Sequence, residues 1–236
     1  MSYRIFTDAA SDLPPRYAQK YDVTVLPMGF TLDGKSYVFS PGGGDLSVHE
    51  CAEQMRAGKS VSTTMINTYN FIEAFTPVLE AGEDVVYLAL SSGLSGQAHA
   101  AQAAARELRE SFPKQKIACI DTLCPSISLG QLTLCAAKRK QEFDFDQMVA
   151  YVEREKLHFA NWFTVQDMVY LKRGGRISGA TAAMATVLNI KPIMTTDDEG
   201  HLIAVEKVQG RKKSIKTLVE NTLRNMKQDG ELDMIV

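Results

Sequence analysis

The sequence predicts an α/β fold: an N-terminal parallel-sheet α/β domain over residues 1–145, then a second, smaller α+β domain over 146–236. Three observations carry that expectation. Short apolar runs alternate with helical patterns through the first half, as in a parallel sheet covered on both faces. Several of those runs stop at small polar residues, "TDAASD", "SSGLSG" and "DTLCPS". Near residue 145 the texture changes to a helix, a short strand and a hairpin.

Taken in order, strands are predicted at 3–8, 23–30, 84–90 and 116–121. Helices are predicted over about 14–20, 47–57, 69–80, 96–110 and 126–139, from apolar residues recurring at helical spacing. In the second half, "DFDQMVAYVEREKLHF" reads as a helix with Met148, Val149 and Val152 on its apolar face, and "NWFTV" reads as a strand. "KPIMTTDDEGHLIAVEKV" reads as a hairpin closed at Asp198–Gly200. A helix over 212–228 follows, and "ELDMIV" looks like a strand that begins a missing continuation. "SPGGGD" (40–45) is a loop.

Composition narrows the function classes. With 236 residues and 45% hydrophobic content, the chain can bury a large core. Its 26 basic and 28 acidic residues leave a net charge of −2, which gives no footprint for nucleic acid. No apolar run reaches the roughly 18 residues of a membrane span. Four dispersed cysteines, without a CxxC pair or clustered histidines, predict neither a disulfide framework nor a zinc site. A reduced, cytoplasmic protein without a cofactor is expected.

The chemistry concentrates at strand ends, where open α/β sheets bind their ligands. Ser91, Ser92 and Ser95 stand with Gly93 and Gly96 between an apolar run and an alanine-rich helix. A nucleophile elbow needs Gly-x-Ser-x-Gly, and here the second glycine comes one residue early. A small serine hydrolase or phosphoryl-transfer enzyme using Ser95 is therefore the alternative reading. A phosphate cradle would carry GxxxxGKS or GxGxxG, and neither occurs. What remains is a pocket for one carboxylate, or simple helix capping by Ser95. The same pair of readings holds for Thr63, Thr64 and Asn67 in "VSTTMINTYNF". In "LKRGGRISG", Lys172, Arg173 and Arg176 flank a Gly-Gly turn, shaped for phosphate or carboxylate unless it is plain solvated charge.

Together "TDAASDLP", "VSTTMINTYNF", "LSSGLSG", "DTLCPSISLG", "LKRGGRISGATAAMATVLNIKPI" and "GRKKSIKTL" resemble the DegV family of bacterial fatty-acid-binding proteins, the FakB-type subunits of fatty acid kinase. The resemblance runs in family order over nearly the whole chain. It implies a long-chain fatty acid held between two domains, its carboxylate on Thr63 and Ser95 with Thr64 and Ser92 as neighbours. It also implies a separate ATP-using kinase subunit as partner, no catalytic site of the chain's own, and Arg173 as a partner or phosphate contact. Met184, Val187 and Leu188 line the acyl tunnel or are ordinary core. Met65 stands where glutamine is usual in the family, Gln97-Ala98 replaces Thr-Tyr, and Ser128 replaces a common glycine. The family's C-terminal segment, with a carboxylate-holding histidine, has no counterpart in the sequence.

Overall fold

The computed structural model describes residues 2–40, 43–166, 168–177 and 189–225. Its centre is a four-stranded parallel sheet in the order β2-β1-β6-β7, with β1 Tyr3–Asp8, β2 Val23–Leu26, β6 Asp84–Ala89 and β7 Ile117–Asp121. The inner strands are buried along almost their whole length, as expected when helices cover both faces. Strand alternation then sorts the core into two layers. Val85, Tyr87 and Phe6 meet Phe71 and Phe75 of α3 (Thr68–Glu80) and Ala101 and Ala104 of α4 (Gln97–Ser111). Val86, Leu88 and Ile5 turn the other way. They meet Leu129 and Leu132 of α5 (Ser126–Lys138) and Met148 and Val152 of α6 (Phe145–Glu155). Helix α6, at the join between the two expected domains, thus packs on the parallel sheet.

The predicted strand over 23–30 is two strands. Pro27 separates β2 from β3 (Met28–Leu32), because proline has no N–H to give a ladder. A short helix, α1 (Pro15–Lys20), links β1 to β2. β3 opens a three-stranded antiparallel sheet in the order β4-β3-β5, with β4 Lys35–Phe39 and β5 Val61–Thr64. The β3–β4 turn is Asp33–Gly34, both residues at positive φ, as a two-residue hairpin turn of the primed type requires. Between β4 and β5 lies α2 (Val48–Arg56), opened by a capping box in which Ser47 and Glu50 satisfy each other's backbone N–H.

In the second half, α7 (Val169–Arg173) precedes the hairpin of β8 (Ile190–Thr196) and β9 (Leu202–Gln209), and α8 (Arg211–Asn225) follows. "NWFTV" contributes a single bridge, Phe163 to Met194, and no longer strand. A small core of Met168, Ile177 and Met194 serves this half. Met184, Val187, Leu188 and "ELDMIV" lie outside the described residues. No helix among the described residues is long and apolar enough to cross a membrane.

Candidate carboxylate-binding site

Three loops leave the carboxyl edge of the parallel sheet together, and two acids, one buried and one partly buried, tie them. Asp8, at the end of β1, is fully buried; it accepts from Ala10 N at 3.0 Å, Tyr87 Oη at 2.8 Å and Leu90 N at 3.2 Å. Burial pushes its carboxyl up from the usual range, against the pull of those bonds. Burial, with Asp8 next to it, also pushes the Tyr87 phenol up. Asp121, at the end of β7, accepts from Ser92 N at 3.1 Å and Leu123 N at 3.2 Å.

These bonds decide what the loop after β6 can offer. Leu90 N goes to Asp8, Ser91 N to Cys124 O, Ser92 N to Asp121 and Gly93 N to Ser91 Oγ. Leu94 N and Ser95 N both go to Ser91 O. Every N–H from Leu90 to Ser95 is therefore spent inside the protein, and no row of free donors is left for a polyphosphate. What remains are the Ser92 and Ser95 hydroxyls and the first turn of α4. Gly96 caps that helix without a side chain, and Ser95 Oγ reaches Gln97 N only at 3.4 Å. Such an end suits one negative charge.

Thr63 and Thr64 stand on a strand and not in the expected loop. They sit on β5, paired with Phe30 and Gly29, and both are exposed. They are not helix caps, since Asn67 takes that role by accepting from Asn70 N at 2.9 Å. The next residue, Met65, brings strand and loop together: a Cβ on Gly96 would lie 3.2 Å from Met65 Sδ. Arg176 donates from Nε to Leu94 O at 3.3 Å, so the Gly-Gly turn also rests on the loop. Arg173 itself is exposed, with its guanidinium 5.9 Å from the Tyr170 ring.

The departures from the family pattern fit unequally. Ser128 is buried and donates to Pro125 O at 2.6 Å. Gln97 is fully buried beside Asp8 and Tyr87, close enough to affect their protonation, yet its amide atoms make no bond of good geometry. All four histidines are exposed, no described histidine hydrogen-bonds to Ser95, and its φ is not positive. Two surface cavities, of about 280 and 220 Å³, lie elsewhere, beside α1 and β2 and between α4 and β7. Ser91 escaped the sequence reading as a site residue, because nothing in "SSGLSG" separates it from its neighbours.

The profile of the DegV family, described as uncharacterised proteins, matches residues 2–236. The chain belongs to the DegV family. A DegV domain-containing protein of Clostridium perfringens is 33% identical over 233 residues, 98% of this chain and 80% of that one. Among solved structures, a stearic-acid-binding protein from Eubacterium ventriosum superposes with a TM-score of 0.86 at 25% identity, over 94% of this chain and 76% of the other. A fatty-acid-binding DegV protein from Streptococcus agalactiae gives 0.84 at 28% identity, over 98% and 80%.

Proposed function

We propose that this DegV-family chain is a lipid-binding module that holds one long-chain fatty acid and presents it to a fatty acid kinase subunit. Thr63 and Ser95 grip the carboxylate, and Thr64 and Ser92 flank it. The observation that carries this reading is the meeting of β5 with the β6–α4 loop at Met65 and Gly96. That contact brings two hydroxyl-bearing segments to the uncapped end of α4. The relatives from E. ventriosum and S. agalactiae, described as binding fatty acids, support the choice of ligand. A buried carboxylate must be hydrogen-bonded, because leaving it unpaired costs several kcal/mol. The division into two units with the acid between them belongs to the same proposal, with the boundary set after α6, which packs on the parallel sheet, and not at residue 145.

Titration calorimetry tests the grip. The double variant Thr63→Ala, Ser95→Ala loses roughly 2–4 kcal/mol of palmitate affinity, given about 1.5–3 per charge-assisted bond and incomplete additivity. Unchanged affinity of the folded double variant removes these residues from the site.

The kinase step is assigned to Arg173, whose planar fork suits a phosphate or a partner's carboxylates. Arg173→Ala spares palmitate binding and keeps stability within about 0.5 kcal/mol. It abolishes acyl-phosphate formation with a cognate kinase subunit, and Arg173→Lys restores only part. Normal phosphorylation by the alanine variant overturns that role.

A further inference from the structure

The β8–β9 turn closes directly on the loop that carries Ser92 and Ser95. Ser91, fully buried, donates from Oγ to Gly200 O at 2.9 Å and accepts from Gly93 N at 3.1 Å. Its backbone carbonyl takes Leu94 N at 3.0 Å and Ser95 N at 3.1 Å, and its N–H goes to Cys124 O at 3.2 Å. One serine therefore shapes the loop and binds it to a turn 109 residues further along the chain.

The contact has no slack. A Cβ on Gly93 would lie 2.8 Å from both the carbonyl carbon and oxygen of Gly200. A Cβ on Gly200, whose φ is +79°, would lie 2.1 Å from Ser91 Oγ and 3.1 Å from Leu123 Cα. The turn is also stiff: Asp197 Oδ1 accepts from Glu199 N at 3.1 Å and His201 N at 2.8 Å, and Asp197 O accepts from Gly200 N at 3.0 Å. Lifting it away strips Ser91 Oγ of its acceptor and leaves the Gly200 carbonyl unpaired. The hydroxyl that orients Gly93 N is then free to rotate. Movement of the hairpin therefore loosens the loop at Ser91 Oγ and Gly93 N.

We propose that Ser91 is a positioning residue, and that the Ser91–Gly93–Gly200 contact is a clasp. It couples a bound carboxylate at Ser92 and Ser95 to the β8–β9 hairpin, and it sets how fast the acid leaves. The coupling rests on the fatty-acid reading above; the clasp itself does not. Ser91 acts through its neighbours, and the acid is not required to touch it.

Two variants break the clasp by different means. Ser91→Ala removes the hydroxyl, while Gly93→Ala keeps it and wedges the turn outward. Hydrogen exchange on ligand-free protein then reads the 197–201 amides against those of β1 and β6. Both variants speed turn exchange about tenfold or more, the scale of one buried bond left unmade, and leave β1 and β6 unchanged. Because both break one contact, the double variant is no worse than the weaker single variant, and palmitate leaves all three about tenfold faster than wild type. Wild-type turn exchange in both single variants overturns the clasp. Faster turn exchange with an unchanged palmitate off-rate overturns the coupling. If wild-type protein takes up no palmitate, the fatty-acid reading and the coupling fail together, while ligand-free exchange still decides the clasp.

Discussion

Two hydroxyl-bearing segments meet at the candidate site, and they are built in opposite ways. The β6–α4 loop has every N–H from Leu90 to Ser95 committed, to Asp8, Asp121, Ser91 and Cys124. Strand β5 lies at the edge of its sheet, with Ser62, Thr63 and Thr64 exposed and held through backbone pairing to β3. A preorganised loop loses little freedom when a ligand arrives, whereas exposed threonine side chains must be ordered at that moment. Substitutions in the loop's supports should therefore change stability and binding together, and substitutions on β5 should change binding alone.

The largest effect on stability is expected at Asp121. Asp121→Ala strands the Ser92 and Leu123 N–H groups in a partly buried place. Chemical denaturation should report a loss of about 2–4 kcal/mol, with weaker palmitate binding. A variant of unchanged stability would break the contrast, because the loop would then hold its shape without its acid.

A smaller effect is expected at Asp8 and depends on pH. Burial raises its folded pKa above the ordinary value of 3.8, so the folded protein holds that proton more tightly than the unfolded chain does. The associated stability is present below 3.8 and is lost as pH rises through the folded value. Asp8→Asn cannot lose it. Denaturation curves across that window should shift in the variant's favour as pH rises, by at most about 1.4 kcal/mol per pH unit. A gap that stays constant with pH would contradict the burial argument.

The smallest effect is expected on β5. Thr64→Ala should keep stability within about 0.5 kcal/mol, measured by the same denaturation. Its pairing partner is Gly29, which has no side chain to lose contact with the Thr64 hydroxyl and methyl. A loss of 2 kcal/mol or more would mean that the strand is as tightly supported as the loop.

The same contrast explains what the sequence disclosed. Strands β1, β6 and β7 were readable as apolar runs bounded by polar residues, and their ends match the expected ranges closely, whereas β2 stops four residues short at Pro27. Strands β4 and β5 were not, because both are short and largely exposed, and neither alternates cleanly between apolar and polar residues. Asp33–Gly34 was the one local sign of that hairpin. Helix α8 was found from its pattern, but its faces run against that pattern. Ser214, Thr217 and Asn221 are buried, while Ile215, Val219 and Leu223 are exposed. At the site, the motif pointed to Ser92, Ser95, Thr63 and Thr64. The role of Ser91 depends on Gly200, and a contact across 109 residues leaves no trace in local spacing.

Chain length probes the ligand's other end. A tail buried in a closed tunnel gains about 0.8 kcal/mol per methylene, so affinity should climb steeply from octanoate to palmitate and then level off. Equal binding of the two acids would leave the carboxylate grip standing and remove the tunnel.

The central claim is that this chain carries a fatty acid, and denaturing mass spectrometry of lipid extracted from natively purified, bacterially expressed protein tests it most directly. The account predicts about one long-chain fatty acid per chain, lost from the Thr63→Ala, Ser95→Ala variant. Wild-type protein that is folded yet carries no fatty acid, and takes none up when palmitate is added, would contradict it.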